Sequence, residues 1–145
     1  MTKVLIATDK PFAAVAVKGI REIIEAAGFE LALLEKYTEK AQLLDAVKDV
    51  DAIIIRSDII DAEVLDAAKN LKIVVRAGAG YDNVDVDAAT AHNVCVMNTP
   101  GQNANAVAEL VFGMLLYSIR NRYNGTSGTE LLTKKLGILA YGNVG

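Results

Sequence analysis

The sequence is poor in the residues that form disulfides and hold transition metals. It contains one cysteine, Cys95, one histidine, His92, and no tryptophan among 145 residues. A single cysteine excludes an intrachain disulfide and any multi-cysteine zinc site. We therefore expect no metal site, place Cys95 in the core of an apolar strand, and give His92 a surface or helix-capping role.

Strong charge and long apolar runs are also missing. The net charge is −3 and the pI is near 5.1, so there is no general attraction to nucleic acid or to an anionic membrane. No apolar run approaches the ~20 residues of a membrane span. The opening MTKVLIATDK has too short an apolar stretch for a signal peptide. We expect a cytoplasmic protein that binds neither nucleic acid nor a membrane.

What is present, over residues 1–98, is an alternation of apolar runs with helical patterns. The predicted strands are 4–8, 30–34, 52–55, 72–75 and 94–97, and the predicted helices are 14–27, 38–48, 61–69 and 86–91. Asp9 and Asp61 are predicted N-caps, and Gly28 is a predicted helix stop. Because the strands are continuously apolar, they are typical of a parallel sheet buried on both faces. We predict a flavodoxin-like, doubly wound α/β fold with strand order 2-1-3-4-5.

The pattern changes after residue 98. Residues 104–122 have the pattern of one long helix, residues 123–128 form a loop, and residues 136–141 are a predicted strand. The final residues, 142–145, resemble the turn that opens a further βα unit without its helix. We therefore expect the chain to be a fragment of a longer protein.

Two glycine-containing segments carry the chemistry. Residues 76–85, RAGAGYDNVD, directly follow the fourth predicted strand, and Arg56-Ser57 follows the third. Carboxyl ends of parallel strands meet at one edge, where glycines allow backbone N–H groups to approach an anion and arginine can bind it. Residues 140–145, AYGNVG, resemble a dinucleotide-binding turn with Ala140 in place of the first glycine. For both segments the alternative is an ordinary turn between strand and helix.

Five segments taken in order resemble the D-2-hydroxyacid dehydrogenase family. They are Arg56-Ser57 and residues 76–85, 96–100, 108–110 and 137–145. The form RAGAG favours those members that oxidise 3-phosphoglycerate. Ile59 departs from them, since they often carry a lysine there. The resemblance implies a substrate-binding (lid) domain over 1–98, a hinge over 99–104, and the truncated beginning of a Rossmann NAD-binding domain over 105–145.

The resemblance also implies roles for individual residues. The substrate-binding residues would be Arg56, Ser57, Arg76, Ala77, Gly78, Ala79 and Asn103. The cofactor-binding residues would be Ala79, Val107, Gly142, Asn143, Val144 and Gly145. The family's catalytic histidine, its partner glutamate and its carboxylate-binding arginine lie beyond Gly145, so we expect no catalytic residue in this chain and no activity from it alone.

The whole protein would pass a hydride from C2 of 3-phosphoglycerate to NAD, in the first step of serine biosynthesis. The acidic residue that reads the cofactor ribose is not in the chain, so NAD and NADP stay open. The apolar residues of 104–122 cover more than one helix face, which predicts a homodimer through residues 104–141.

Two alternatives remain open. One keeps the family but changes the substrate, as in glyoxylate or hydroxypyruvate reductases. The other is a non-catalytic receiver or ligand-binding module. A receiver needs a phosphorylatable aspartate after its third strand and a lysine after its fifth, whereas this sequence has Arg56 and Asn98-Thr99-Pro100 at those places.

Overall fold

A computed structural model describes residues 1–139 and 141–145. The chain divides into two compact units, Met1–Thr99 and Pro100–Gly145. We refer to them as the amino-terminal unit and the carboxyl-terminal unit, and describe each by itself.

The amino-terminal unit is an α/β fold around one parallel sheet. Its strands are β1 (Lys3–Thr8), β2 (Glu30–Glu35), β3 (Ala52–Ile55), β4 (Ile73–Arg76) and β5 (Cys95–Met97). Its helices are α1 (Ala14–Ala26), α2 (Lys40–Ala46), α3 (Ala62–Ala67) and α4 (Val86–Ala91). All pairings are parallel and the order is β2-β1-β3-β4-β5. The predicted fold class and strand order are confirmed.

The apolar strands of this sheet bury one face fully, while side chains on the other face, such as Ile54 and Val75, are half-buried. Ile53, Ile55 and Val74 are fully buried in one cluster with side chains from α2, α3 and α4. Ile6 is also fully buried but lies outside that cluster, as the alternation of side chains along β1 requires. The helix α1 packs against β2 and buries Ile24.

Two of the three predicted helix signals are confirmed. The Asp61 carboxylate accepts the Val64 N–H at the start of α3. Gly28, with φ +76°, follows α1 in the left-handed conformation that ends helices. The Asp9 prediction is wrong, since α1 begins only at Ala14 and has no side-chain cap. The N–H of Asp9 instead donates to the Asp58 carboxylate at 2.9 Å, which holds this segment in the loop after β1.

The prediction of a core position for Cys95 is also wrong, because its side chain is exposed. Within residues 1–139 and 141–145, β5 pairs only with β4 and is therefore an edge strand, with Cys95 and Met97 both open to solvent. An apolar run alone does not distinguish an edge strand from a central one.

The carboxyl-terminal unit consists of α5 (Ala104–Ile119), a 3₁₀ turn (Asn121–Tyr123) and an irregular segment. The helix ends three residues before the predicted boundary at 122, because Asn121, Arg122 and Tyr123 all have positive φ. The Thr129 N–H then donates to the Ile119 carbonyl at 2.9 Å and folds the chain back on the helix end. Among the described residues, no helix is long and apolar enough to cross a membrane.

The predicted strand at 136–141 is not formed by residues 136–139 or by Tyr141, and Ala140 lies outside the described residues. A strand exists only through hydrogen bonds to a neighbouring strand. None of the five strands of the sheet pairs with this segment in the part of the chain that the structure describes.

Candidate functional site

The segments that follow β3 and β4 lie side by side at the carboxyl edge of the sheet. Ile55 and Arg76 are partners in the register of these strands, and the Ala77 N–H donates to the Ile55 carbonyl at 2.8 Å. Arg56 and Ser57 therefore share this edge with residues 76–80, which we call the glycine loop. Six of the predicted substrate-binding residues, 56–57 and 76–79, are thus neighbours on one unit.

Two backbone N–H groups of the glycine loop are free to bind a ligand. The Gly78 N–H donates to the Arg76 carbonyl at 2.9 Å in a three-residue turn, so it is already occupied. The N–H groups of Ala79 and Gly80 have no hydrogen-bond partner among residues 1–139 and 141–145. Adjacent free N–H groups of this kind form a concavity that suits an anion.

The carbonyls of the glycine loop are anchored on the β5 side. The Thr99 N–H donates to the Gly78 carbonyl at 2.9 Å, and the Asn98 side-chain amide Nδ2 donates to the Ala79 carbonyl at 2.8 Å. Together with the hydrogen bond from the Ala77 N–H to the Ile55 carbonyl of β3, these contacts hold the loop between the ends of both strands that flank β4.

The Arg76 side chain lies over Gly78. A Cβ at Gly78 would overlap the Arg76 guanidinium, so glycine is the residue that leaves room for it. The Arg76 Nε is buried and lacks a hydrogen-bond partner within the described residues. Buried polar groups are almost always paired, and a guanidinium is best paired with a carboxylate or phosphate. The loop thus combines a cation in need of an acceptor with two free N–H donors.

Sequence reasoning missed Asp58, which is 5% exposed. Its Oδ1 accepts the Asp9 N–H at 2.9 Å and the Tyr37 hydroxyl at 2.6 Å, and its Oδ2 accepts the Arg56 N–H at 3.3 Å. Burial, together with this hydrogen bond, raises the pKa of Tyr37 above its ordinary value of 10.0. Asp58 thus joins the loops after β1, β2 and β3. An aspartate after an arginine and a serine gives no sequence signal for such a role.

Asn83 connects the loop after β3 to the loop after β4. Its Nδ2 donates to the Asp58 carbonyl at 2.7 Å, while its own carbonyl accepts the Ile60 N–H at 2.9 Å. The edge that carries Arg56 and the glycine loop is consequently a connected set of loops rather than independent turns.

Ser57 faces a second feature of this edge, a cleft of about 740 Å³ at the ends of β1, β2 and β3. Three lysines line it, but Lys40 is bound to Asp61 and Glu63. Lys10 and Lys36 form no ion pair with the described residues. Because Asp9, Asp58 and Asp61 also line the cleft, its three lysines are balanced by three aspartates and it adds no net charge to this edge of the unit.

The remaining predicted site residues lie in the carboxyl-terminal unit. Asn103 precedes α5 without a capping hydrogen bond, and Val107 is on α5 with 36% of its surface exposed. Neither residues 136–139 nor Tyr141, before residues 142–145, form a strand, and the Asn143 side chain lies beside Gly101. A dinucleotide pyrophosphate is held by a strand, a glycine turn and a helix N-terminus in succession. The described residues do not form that arrangement, so we assign them no step involving the cofactor.

His92 has the capping role that the sequence predicted. It is the C-cap of α4, where its Nδ1 lies 2.8 Å from the Ala88 carbonyl and its Nε2 lies 3.0 Å from Asp66 Oδ1. The hydrogen bond to Ala88, followed by that to Asp66, raises the pKa of His92.

The comparison with known families agrees with this arrangement. Residues 6–144 match the family described as D-isomer specific 2-hydroxyacid dehydrogenase, catalytic domain. The chain belongs to this family. The resemblance drawn from the five sequence segments is therefore confirmed.

Relatives within the D-2-hydroxyacid dehydrogenase family differ in substrate. The chain is 38% identical over 130 residues to a hydroxypyruvate reductase of Thermotoga maritima, covering 80% of this chain and 42% of that protein. It is 42% identical over 121 residues to a D-3-phosphoglycerate dehydrogenase of Mycobacterium leprae, covering 74% of this chain and 23% of that one.

A solved structure is similar as well. The 3-phosphoglycerate dehydrogenase of Entamoeba histolytica, with NAD⁺ bound, has a TM-score of 0.86 and 50% identity, covering 90% of this chain and 43% of that one. The chain therefore spans less than half the length of each of these relatives.

Proposed function

We propose that the amino-terminal unit binds the anionic substrate of an NAD-dependent oxidoreductase that converts 3-phosphoglycerate to 3-phosphohydroxypyruvate. The observation that carries this proposal is the glycine loop, where the partnerless Arg76 Nε accompanies the free N–H groups of Ala79 and Gly80. Arg56 and Ser57 contribute to the same edge. The 50% identity to a 3-phosphoglycerate dehydrogenase supports the choice of substrate.

A titration of the ¹⁵N-labelled chain with 3-phosphoglycerate tests the proposed site. Charge-assisted hydrogen bonds contribute ~1.5–3 kcal/mol each, and we expect a Kd in the millimolar range, ~4 kcal/mol. Amide shifts should be confined to residues 56–57 and 76–80 and should disappear in Arg76→Ala. The control is Arg21→Ala, which removes an arginine of α1 that pairs with Glu25 and should leave the shifts unchanged. If no loop amide moves at tens of millimolar ligand, the loop is only a turn.

A second candidate substrate is an unphosphorylated 2-hydroxy acid, because the Thermotoga maritima relative is a hydroxypyruvate reductase. Parallel titrations with 3-phosphoglycerate and D-glycerate separate the two candidates. Tighter binding of 3-phosphoglycerate, with additional shifts at Arg56, supports the phosphorylated substrate. Equal binding of the two ligands favours the second candidate.

The other properties of the whole protein are part of the same proposal. NAD is the cofactor we assign, since the Entamoeba histolytica structure holds NAD⁺. We place the protein in the cytoplasm as a homodimer joined through residues 104–141. We expect the 145-residue chain alone to be inactive, because general acid–base catalysis supplies ~10²–10⁴-fold and its one histidine, His92, is the C-cap of α4 and pairs with Asp66. NADH formation from 3-phosphoglycerate by the purified chain would contradict this.

A further inference from the structure

The two free N–H groups of the glycine loop belong to peptide planes whose carbonyls are held in place. The Gly78 carbonyl, which shares a peptide with the Ala79 N–H, accepts from the Thr99 N–H at 2.9 Å. The Ala79 carbonyl, which shares a peptide with the Gly80 N–H, accepts from the Asn98 Nδ2 at 2.8 Å. In each of these two peptides, the carbonyl is therefore hydrogen-bonded and the N–H is free.

In a planar trans peptide the C=O and N–H bonds point in opposite directions. The described residues contain no cis peptide bond, so this holds for both peptides. Since the donors of Asn98 and Thr99 lie at the end of β5, the N–H groups of Ala79 and Gly80 point away from β5. β3, which Arg56 follows, lies on the other side of β4 from β5.

We propose that Asn98 is a positioning residue, which turns the Ala79–Gly80 peptide so that the Gly80 N–H binds the anionic group of the substrate. Asn98 itself does not touch the ligand. Its side-chain amide supplies the hydrogen bond that fixes the peptide plane, a role that no other described side chain shares at this peptide. The Gly78–Ala79 peptide does not depend on it, because its anchor is the backbone N–H of Thr99. This proposal rests on the proposed function of the glycine loop.

Residue-resolved titration of the ¹⁵N-labelled chain with 3-phosphoglycerate tests the inference through two variants. Asn98→Ala removes the donor, and Asn98→Asp replaces it with a carboxylate of nearly the same shape that cannot donate at neutral pH. In both variants we expect the Gly80 amide response to fall at least about twofold relative to that of Ala79, and the Kd to rise about tenfold. The added negative charge of Asn98→Asp would weaken both responses together, so only the Gly80 to Ala79 ratio reports orientation.

The matched control is Thr90→Val, which removes another hydrogen bond from a side chain to a backbone carbonyl, from the Thr90 hydroxyl to Val86 at 2.8 Å in α4. It should change neither the ratio nor the Kd. Melting temperatures of all variants show whether a loss of binding follows a loss of folding, which would lower the two responses equally.

The outcomes separate this inference from the proposed function. If the unsubstituted chain shows no response in the glycine loop, the proposed function and this inference both fail. If it responds and both Asn98 variants keep its Gly80 to Ala79 ratio, or lose the two responses equally, only the inference about Asn98 is wrong. A selective loss at Gly80 in either variant supports it.

Discussion

The two units of this chain use their apolar residues in opposite ways. In the amino-terminal unit, residues such as Ile53 and Val74 are fully buried between a sheet and its helices. In the carboxyl-terminal unit, none of the described residues is buried, although the sequence of α5 is more apolar than that of α1. Leu110 and Met114 on α5 are each 61% exposed. An apolar helix thus provides a core only where neighbouring elements cover it, and the apolar side chains of α5 stay exposed.

The largest expected difference between the units concerns the loss of one apolar side chain. Ile53→Ala should lower the free energy of unfolding by ~2–5 kcal/mol, because it leaves a cavity in the core. Leu110→Ala should change it by no more than about 0.5 kcal/mol, as at other exposed positions. Urea denaturation followed by circular dichroism measures both values. Similar losses in the two variants would contradict the contrast between the units.

The next largest effect concerns a tyrosine hydroxyl from each unit. Tyr37→Phe removes the 2.6 Å hydrogen bond to Asp58 and should lower the free energy of unfolding by about 1.5 kcal/mol, since the acceptor is charged. Tyr123→Phe, at an exposed position of the 3₁₀ turn, should leave stability unchanged. Thermal unfolding of the two variants makes the comparison, and an equal effect would show that Asp58 does not depend on Tyr37.

Self-association should depend on the carboxyl-terminal unit. Leu110 and Met114 are four residues apart and share one face of α5. The double variant Leu110→Glu with Met114→Glu should raise the dissociation constant of self-association at least about tenfold, ~1.4 kcal/mol. Val15→Glu is the matched control, because Val15 is 79% exposed on α1 of the other unit. Sedimentation equilibrium measures association, and a chain that stays monomeric at high concentration would refute the predicted interface.

The smallest effect is a pH dependence confined to the amino-terminal unit. The pKa of His92 is raised above its ordinary value of 6.5 by the hydrogen bonds to Ala88 and Asp66, so the folded state favours the protonated ring. The resulting stabilisation is complete below about pH 6.5 and is lost as the pH rises through the raised pKa. His92→Gln should remove this dependence in melting temperatures recorded from pH 5 to 8, since the chain has only one histidine. An unchanged pH profile would contradict the assignment.

Much of the candidate site could be predicted because it depends on position along the chain. Arg56 directly follows β3 and Arg76 is the last residue of β4, so a parallel sheet necessarily places them at one edge. The capping role of His92 followed from its place between a helix and a strand. Such inferences need only the element boundaries and the direction of the strands.

Other features could not be predicted, because they depend on partners distant in sequence. Asp58 is buried because Asp9 and Tyr37, 49 and 21 residues earlier, supply its donors. Cys95 is exposed because no strand lies beyond β5 among the described residues. Residues 136–139 have the composition of a strand but lack a neighbouring strand to pair with.

The sequence by itself determined the parallel sheet, its strand order and the edge that carries the glycine loop. Continuous apolar runs are typical of parallel strands, and alternating strands and helices allow few connections between them. Only the tertiary structure decided which N–H groups of that loop are free. Asn98 and Thr99, which follow β5, hold the carbonyls of these peptides by hydrogen bonds. A local sequence pattern does not reveal hydrogen bonds between segments that follow two different strands.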